Sequence, residues 1–90
     1  MRRTEVDYKP SFLREFKRLE SALQEEAREK IELFKDPESH PQLRIHALKG
    51  RLAGYLSFSV NYRYRIIFTF SNKKKNQAVL LAIGDHDVYR

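Results

Sequence analysis

The stretch Gly54–Phe70, which reads GYLSFSVNYRYRIIFTF, decides the fold. Leu56, Phe58 and Val60 alternate with tyrosine and serine, and this is the period of a strand with one buried face. We expect a tight turn near Asn61, because residues 62–70 are again rich in aromatic and branched side chains and predict a second strand. The stretch therefore predicts a β-hairpin.

A third strand follows this hairpin. Residues 71–76 form a polar, lysine-rich connection that is typical of a solvated hairpin tip, and residues 77–83 are largely apolar. Such a run predicts a strand that is buried on both faces, with the helices on one side and another layer or a partner on the other. Together the three strands make an antiparallel meander.

The first third of the chain predicts a short strand and two helices. Residues 5–8 alternate polar and apolar side chains, which favours an edge strand. Residues 12–19 and 21–34 show helical periodicity, and Ser21 with Gln24 predicts a capping box at the start of the second helix. The predicted fold class is α+β in a single domain, residues 1–90: an N-terminal strand, a two-helix hairpin and the three-stranded meander.

Composition narrows the function classes. The 90 residues carry a formal net charge of +6, and so large an excess on a small surface favours a polyanionic partner such as nucleic acid. The absence of cysteine excludes disulfides, zinc-thiolate sites and thiol nucleophiles. No apolar run approaches membrane-spanning length, so we expect a cytoplasmic chain without membrane contact.

The three histidines lie far apart in sequence, and their spacing does not favour a metal site. His86 is the most interesting of them, because it follows the apolar third strand through Gly84 and Asp85. An imidazole titrates near neutral pH and can move a proton during RNA transesterification. The alternative is a histidine that only bonds Asp85 or Asp87 at a surface turn.

Two arginines are candidates for phosphate binding. We expect Arg63 and Arg65 to project from the central strand onto one face, where the guanidinium fork suits a phosphate or a developing phosphorane. The alternative is a structural salt bridge to a helix carboxylate such as Glu15 or Glu29.

A basic loop and a terminal tyrosine complete the set of candidates. His46, Lys49 and Arg51 occur in the sequence HALKGR and could hold substrate phosphates, although a solvated basic loop is an equally simple interpretation. Tyr89 could stack on a base beside His86, because aromatic rings next to cations are typical of RNA-binding surfaces.

Two segments of the chain resemble a known family. Residues 48–68, LKGRLAGYLSFSVNYRYRIIF, and residues 83–89, IGDHDVY, are similar to the RelE/ParE toxins of type II toxin-antitoxin systems. The similarity is strongest to the YafQ-like and RelE/StbE branches. It implies a twisted sheet that cradles ribosome-bound messenger, and a ribosome-dependent mRNA endoribonuclease (an mRNA interferase) that needs no metal ion or other cofactor. It also implies a cognate antitoxin that wraps the toxin in a hetero-oligomer.

The resemblance also implies residue roles. Arg65 stands where RelE-like enzymes place a transition-state arginine, His86 where they place a basic or imidazole group, and Tyr89 where they have a tyrosine. In YafQ-like enzymes, functional histidines match His46 and His86. The resemblance therefore implies that His86, Arg65 and His46 are catalytic, and we assign Lys49, Arg51, Arg63 and Tyr89 to substrate binding.

The chain departs from both branches at four positions. Leu56 and Phe58 replace two lysines of RelE, so the lysine-based proton transfer of that branch is not carried over. Ser59 and Arg63 replace a histidine and an aspartate of YafQ. These departures leave His86 with Arg65 as the minimal catalytic set.

Two other functions compete with the nuclease. A ParE-like inhibitor of DNA gyrase shares the fold and the basic surface, but it has no need of an imidazole after the last strand. An interaction module with decayed activity would bind only its antitoxin. In each case we expect an acidic, amphipathic antitoxin, because the helical hairpin and the sheet face should offer apolar grooves rimmed by lysine and arginine.

Overall fold

The computed structural model describes residues 3–85 and confirms the predicted order of a strand, two helices and a meander. The five strands are β1 (Glu5–Tyr8), β2 (His46–Ala47), β3 (Leu56–Ser59), β4 (Tyr64–Phe70) and β5 (Gln77–Asp85). The helices are α1 (Pro10–Lys17) and α2 (Ser21–Phe34), and two 3-10 helices cover Pro37–Leu43 and Gly50–Leu52. No helix in residues 3–85 is long and apolar enough to cross a membrane.

The strands form one mixed sheet in the order β1-β5-β4-β3-β2. β1 pairs with β5 in parallel, and the other three pairings are antiparallel. The prediction that residues 5–8 form an edge strand is confirmed. The opposite edge was missed, because β2 has only two residues and we expected a loop there.

The two helices cover one face of the sheet and enclose the core between the layers. α1 begins at Pro10, where the missing amide hydrogen costs no hydrogen bond. Phe34, at the end of α2, is fully buried, and its ring centroid lies 4.7 Å from that of Phe58 and 4.7 Å from that of Phe68. The core cluster contains Phe12, Ala27, Ile31, Phe34, Leu43, Phe58, Val60, Ile66, Phe68, Ala78, Leu80 and Ile83.

The predicted capping box at the start of α2 is wrong. Glu20 occupies the N-cap position without a side-chain cap, and Ser21 is already the first helical residue. The Gln24 side chain instead donates a 3.0 Å hydrogen bond to the carbonyl oxygen of Phe16. The tight connection between the helices leaves the end of α1 within reach of the first turn of α2, and Gln24 adds a hydrogen bond to a carbonyl oxygen that also accepts one from the amide of Leu19, at 3.1 Å.

A β-bulge interrupts β5 at Leu81. Ile67 pairs with Ala82 while the next residue, Phe68, pairs with Leu80, so Leu81 has no partner on β4. Ala78, Leu80 and Ile83 face the core, whereas the residues between them are half-buried. In the chain by itself the second side of this strand is half-buried, because the helices cover only one side, and its burial by another layer or a partner stays a prediction.

α1 covers the edge of β5 beyond the end of β1. The Ser11 hydroxyl donates a 2.6 Å hydrogen bond to the carbonyl oxygen of Leu81, and the amide of Ile83 donates a 3.0 Å hydrogen bond to Glu15 Oε1. These contacts satisfy backbone groups that β1 is too short to reach.

Candidate functional site

The face of the sheet opposite the helices carries the candidate site, and we call it the open face. Paired residues on neighbouring strands point to the same side of a sheet, so the register defines which residues lie there. One row across this face contains His46, Ser57, Ile67 and Ala82, of which Ser57 and Ile67 are buried, and the next row contains Ser59, Arg65 and Gly84.

Arg65 lies on the open face near the beginning of the central strand β4. Its pairing partners are Ser59 on β3 and Gly84 on β5, and both have little or no side chain. Arg65 is half-buried, and within residues 3–85 no carboxylate lies within ion-pair distance of its guanidinium. The open side of this arginine is therefore available to an anion. The small flanking residues were missed from sequence, because their role depends on strand register.

The structure places His46 on the same face as Arg65. His46 is exposed on β2 and pairs with Ser57, which in turn pairs with Ile67. Two strand spacings and two residues along the strand give a separation of about 12 Å between the Cα atoms of His46 and Arg65. Both side chains can thus contact one extended ligand from different sides.

Lys49 and Arg51 lie at the opposite end of β3 from Arg65. Both are exposed in the connection from β2 to β3. The amide of Leu48 donates a hydrogen bond to the carbonyl oxygen of Tyr55 across the base of this connection. This connection leads into the first residue of β3, whereas Arg65 pairs with the last residue of that strand. The strand order therefore separates the two cations from Arg65 by the length of β3.

Arg63 does not project from the central strand, so that prediction is corrected. β4 begins one residue later, and Arg63 lies in the preceding turn, where its Nε is 3.0 Å from Asp85 Oδ2. This hydrogen bond raises the pKa of Arg63. The predicted alternative, a helix carboxylate such as Glu15 or Glu29, is also wrong, because the partner is on β5. The pair is largely exposed on the arginine side and so stabilises the fold little.

The predicted turn near Asn61 is confirmed, and its side chain organises the turn. Asn61 Oδ1 accepts hydrogen bonds of 2.8 Å from the amides of Arg63 and Tyr64. Asn61 Nδ2 donates a 2.9 Å hydrogen bond to Glu26 Oε1, which ties the turn to α2. Tyr62 at the tip is 92% exposed. The turn next to Arg65 is thus held by both the sheet and a helix.

Two predicted site residues, His86 and Tyr89, lie outside the described residues. Among residues 3–85, no group of three histidine, aspartate or glutamate side chains could hold a metal ion. His40 stacks on Phe34 with the ring centroids 4.9 Å apart, and its Nε2 lies 2.7 Å from the Phe34 carbonyl oxygen. Since a carbonyl only accepts, this nitrogen carries the hydrogen.

The groove on the helical hairpin differs from the predicted one. It has a volume of about 510 Å³ and an apolar floor formed by Tyr8, Phe12, Leu13, Phe16 and Ile31. We expected a rim of lysine and arginine. The rim instead consists of Glu25, Glu29 and Glu32 with a single cation, Arg28. The outward side of α2 is rich in glutamate, so this groove lacks the predicted basic rim.

Comparisons with known proteins agree with this architecture. Residues 7–82 match the model of a family described as the RelE-like toxin of the type II toxin-antitoxin system HigB. No curated protein sequence matches the chain.

Several solved toxin structures are similar in fold. YafQ from E. coli strain BL21(DE3) has 15% sequence identity and a TM-score of 0.72, with 96% of this chain and 97% of that chain covered. The archaeal RelE–RelB complex from Pyrococcus horikoshii gives 17% identity and a TM-score of 0.67, covering 91% and 93% of the two chains. The YoeB/ParE toxin from Agrobacterium tumefaciens has 17% sequence identity and a TM-score of 0.67, with 92% of this chain and 99% of that chain covered.

Proposed function

Since the chain belongs to the RelE-like toxins of type II toxin-antitoxin systems, we propose that it is a metal-independent endoribonuclease that cuts messenger RNA on the ribosome. The observation that carries this proposal is the position of Arg65 on the open face of the sheet. A cation that is half-buried, flanked by a serine and a glycine and without a carboxylate in ion-pair range among residues 3–85 suits a phosphate.

The proposed reaction is an internal transesterification. The 2′-hydroxyl of one nucleotide loses its proton and attacks the adjacent phosphorus, and the bond from phosphorus to the 5′-oxygen of the next nucleotide breaks. A proton is delivered to that 5′-oxygen, so the products carry a 2′,3′-cyclic phosphate and a 5′-hydroxyl. Arg65 stabilises the additional negative charge on the phosphorane, and the ribosome holds the messenger in a reactive conformation.

We assign proton transfer to the two imidazoles. His86 follows Asp85, the last residue of β5, and Asp85 pairs with Tyr64, the neighbour of Arg65 in the chain. His46 lies on the open face across β3. One imidazole accepts the proton of the 2′-hydroxyl while the other donates a proton to the leaving oxygen, since an imidazole can act as a general base or a general acid.

The remaining candidates bind substrate away from the reacting phosphorus. Lys49 and Arg51 contact phosphates farther along the RNA, because their loop is separated from Arg65 by the length of β3. Tyr89 stacks on a base. Arg63 orients the turn through Asp85 and contributes positive charge at the edge of the site.

We also propose a cognate antitoxin as partner. The solved relatives include a DinJ–YafQ complex and a RelE–RelB complex. An acidic segment of an antitoxin suits the open face, where Arg65 and His46 offer positive charge or hydrogen-bond donors. The glutamate-rimmed groove on the helical hairpin is a poorer place for such a segment.

The test is cleavage in a reconstituted translation reaction, with messenger ends mapped by primer extension beside naked RNA. We expect cuts only when ribosomes are present. Arg65→Ala should lower the cleavage rate constant by about 10²- to 10³-fold, the usual effect of removing one donor that stabilises a transition-state oxyanion. Arg65→Lys should retain part of the cleavage rate that Arg65→Ala loses.

His86→Ala should likewise abolish the cuts, and a matched control is available on the other side of the sheet. His40→Ala removes an imidazole that packs on Phe34 and should leave cleavage intact. If wild-type protein leaves the messenger whole but inhibits supercoiling by DNA gyrase, the nuclease proposal is wrong and the gyrase inhibitor takes its place.

A further inference from the structure

Two basic loops emerge at the end of the sheet that lies away from Arg65. The loop 48–55 leads into Leu56, which pairs with Phe68, and the hairpin 71–76 follows Phe70 two residues later. Both connections therefore emerge from the same end of neighbouring strands. Their exposed cations are Lys49, Arg51, Lys73, Lys74 and Lys75, and we call this set the cationic end.

The positive charge of the cationic end is not offset by ion pairs. Neither loop contains an acidic residue, and within the part of the chain that the structure describes none of the five cations forms a salt bridge. Asp36 and Glu38 line a cavity beside Lys74 and Lys75, but neither carboxylate lies within ion-pair distance of these lysines. Five like charges in one region create a strong field that attracts a polyanion.

The lysine hairpin is also an ordered structure. Asn72 Oδ1 accepts hydrogen bonds from the amides of Asn76, at 3.2 Å, and Gln77, at 3.3 Å. The amide of Lys75 donates a 3.3 Å hydrogen bond to the carbonyl oxygen of Asn72. The lysines are therefore presented on a fixed support, which lowers the entropy lost when they bind.

Lys75 has an unfavourable backbone conformation. Its φ is +59°, in the left-handed region that favours glycine. A glycine would relieve this strain, whereas a lysine adds a charge beside two others. A residue that costs stability where a better one is available points to a function outside folding.

We propose that the lysine hairpin of the cationic end, residues 71–76, binds the phosphate backbone of structured ribosomal RNA, while Lys49 and Arg51 keep the messenger contact proposed above. This inference rests on the proposed function, which brings the protein to the ribosome. Residues 71–76 contain no aromatic side chain, so the hairpin lacks the stacking surface that recognises unpaired messenger bases. Its distance from Arg65, the length of β3, means that it contacts phosphates other than the one that is cut.

The principal variant is Lys73→Gln/Lys74→Gln/Lys75→Gln, and the probe is the purified small ribosomal subunit without messenger. Affinity is measured at several salt concentrations, because each phosphate contact contributes about 0.9 to the slope of log K against log salt. Loss of three contacts should flatten the slope by about 2 to 3 and weaken binding roughly 10²-fold at 0.1 M salt.

The matched control removes the same charge elsewhere. Arg14, Lys17 and Arg18 are exposed at the end of α1 and just after it, and none of them forms a salt bridge within the described residues. Their triple glutamine variant should keep most of the wild-type slope. Equal losses in the two variants would mean that net charge alone acts, and the proposal would be wrong.

Lys75→Gly separates binding from folding. Because glycine adopts the left-handed conformation freely, we expect the melting temperature of this variant to be at least that of the wild type. Subunit affinity should nevertheless fall about 5- to 10-fold, the share of one phosphate contact. Unchanged affinity in this variant and in the triple glutamine variant would overturn the proposal.

Two further measurements identify which RNA is bound and distinguish failure of this proposal from failure of the nuclease proposal. If the triple glutamine variant loses affinity for a short single-stranded RNA but not for the messenger-free subunit, the cationic end holds messenger and the ribosomal-RNA proposal is wrong. If wild-type protein binds subunits with the expected slope but cuts nothing, the binding surface stands and the nuclease proposal fails.

Discussion

Replacement of Phe34 tests the packing on which the open face depends. Phe34 is fully buried at the end of α2, and its ring lies against His40, Phe58, Phe68 and Phe70 with centroid distances between 4.7 and 6.3 Å. Phe34→Ala removes a whole ring from a layer whose neighbours are fixed on β3 and β4. The cavity cannot collapse readily, so we expect a loss near the upper part of the usual range, about 4 to 5 kcal/mol.

That loss is large for a chain of 90 residues, whose free energy of unfolding should lie between about 5 and 13 kcal/mol. Phe34→Leu keeps most of the volume and should cost about 1 to 2 kcal/mol. Urea unfolding measures the free energy lost in each of the two variants. It is followed by far-ultraviolet circular dichroism, because the chain has no tryptophan to serve as a fluorescence probe. A loss below about 2 kcal/mol for Phe34→Ala, with an unchanged urea slope, would refute the reasoning.

Three smaller predictions follow from single hydrogen bonds. Glu15→Ala leaves the amide of Ile83 without its acceptor and should cost about 1 to 2 kcal/mol in urea unfolding, whereas Glu15→Gln retains an oxygen there and should cost less. Asn61→Ala removes the acceptor of two backbone amides in the turn, and hydrogen exchange at those amides should accelerate about 10-fold or more while the core amides stay protected. The hydrogen bond from Lys35 lowers the pKa of Glu32 below 4.5, so its contribution is present at neutral pH and is lost as the pH falls through the folded pKa. The melting temperature of Glu32→Gln should therefore be lower than that of the wild type at pH 7, and the difference should disappear as the pH falls through the folded pKa of Glu32. A constant difference would contradict this account.

Periodicity predicted the long elements because they bury one side. The alternation of Leu56, Phe58 and Val60 and the helical spacing in residues 12–34 both correspond to contacts with one core. The two residues of β2 are too few to show any period. The bulge at Leu81 also leaves no signal in the sequence, since it follows from how β5 pairs with β4.

For the candidate site, the sequence indicated candidate residues but not how they are arranged in space. The sequence indicated Arg65 and His46, and strand register places them on one face. The sequence could not show that Arg63 precedes the strand, because its residue type fits both a strand and a turn. Its partner Asp85 lies 22 residues away in the chain, so only the tertiary fold identifies the pair.

The parallel pairing of β1 with β5 also governs how the protein is made. Glu5 pairs with Gln77, and β5 lies between β1 and β4 in the sheet. The sheet therefore cannot be completed until β5, the last strand described, has been synthesised. Long sequence separation slows folding, and the helices can form well before the sheet closes. Ribosome-bound chains that stop before Gln77 should therefore be cut readily by protease. A nascent chain therefore lacks the assembled face around Arg65 until β5 has emerged.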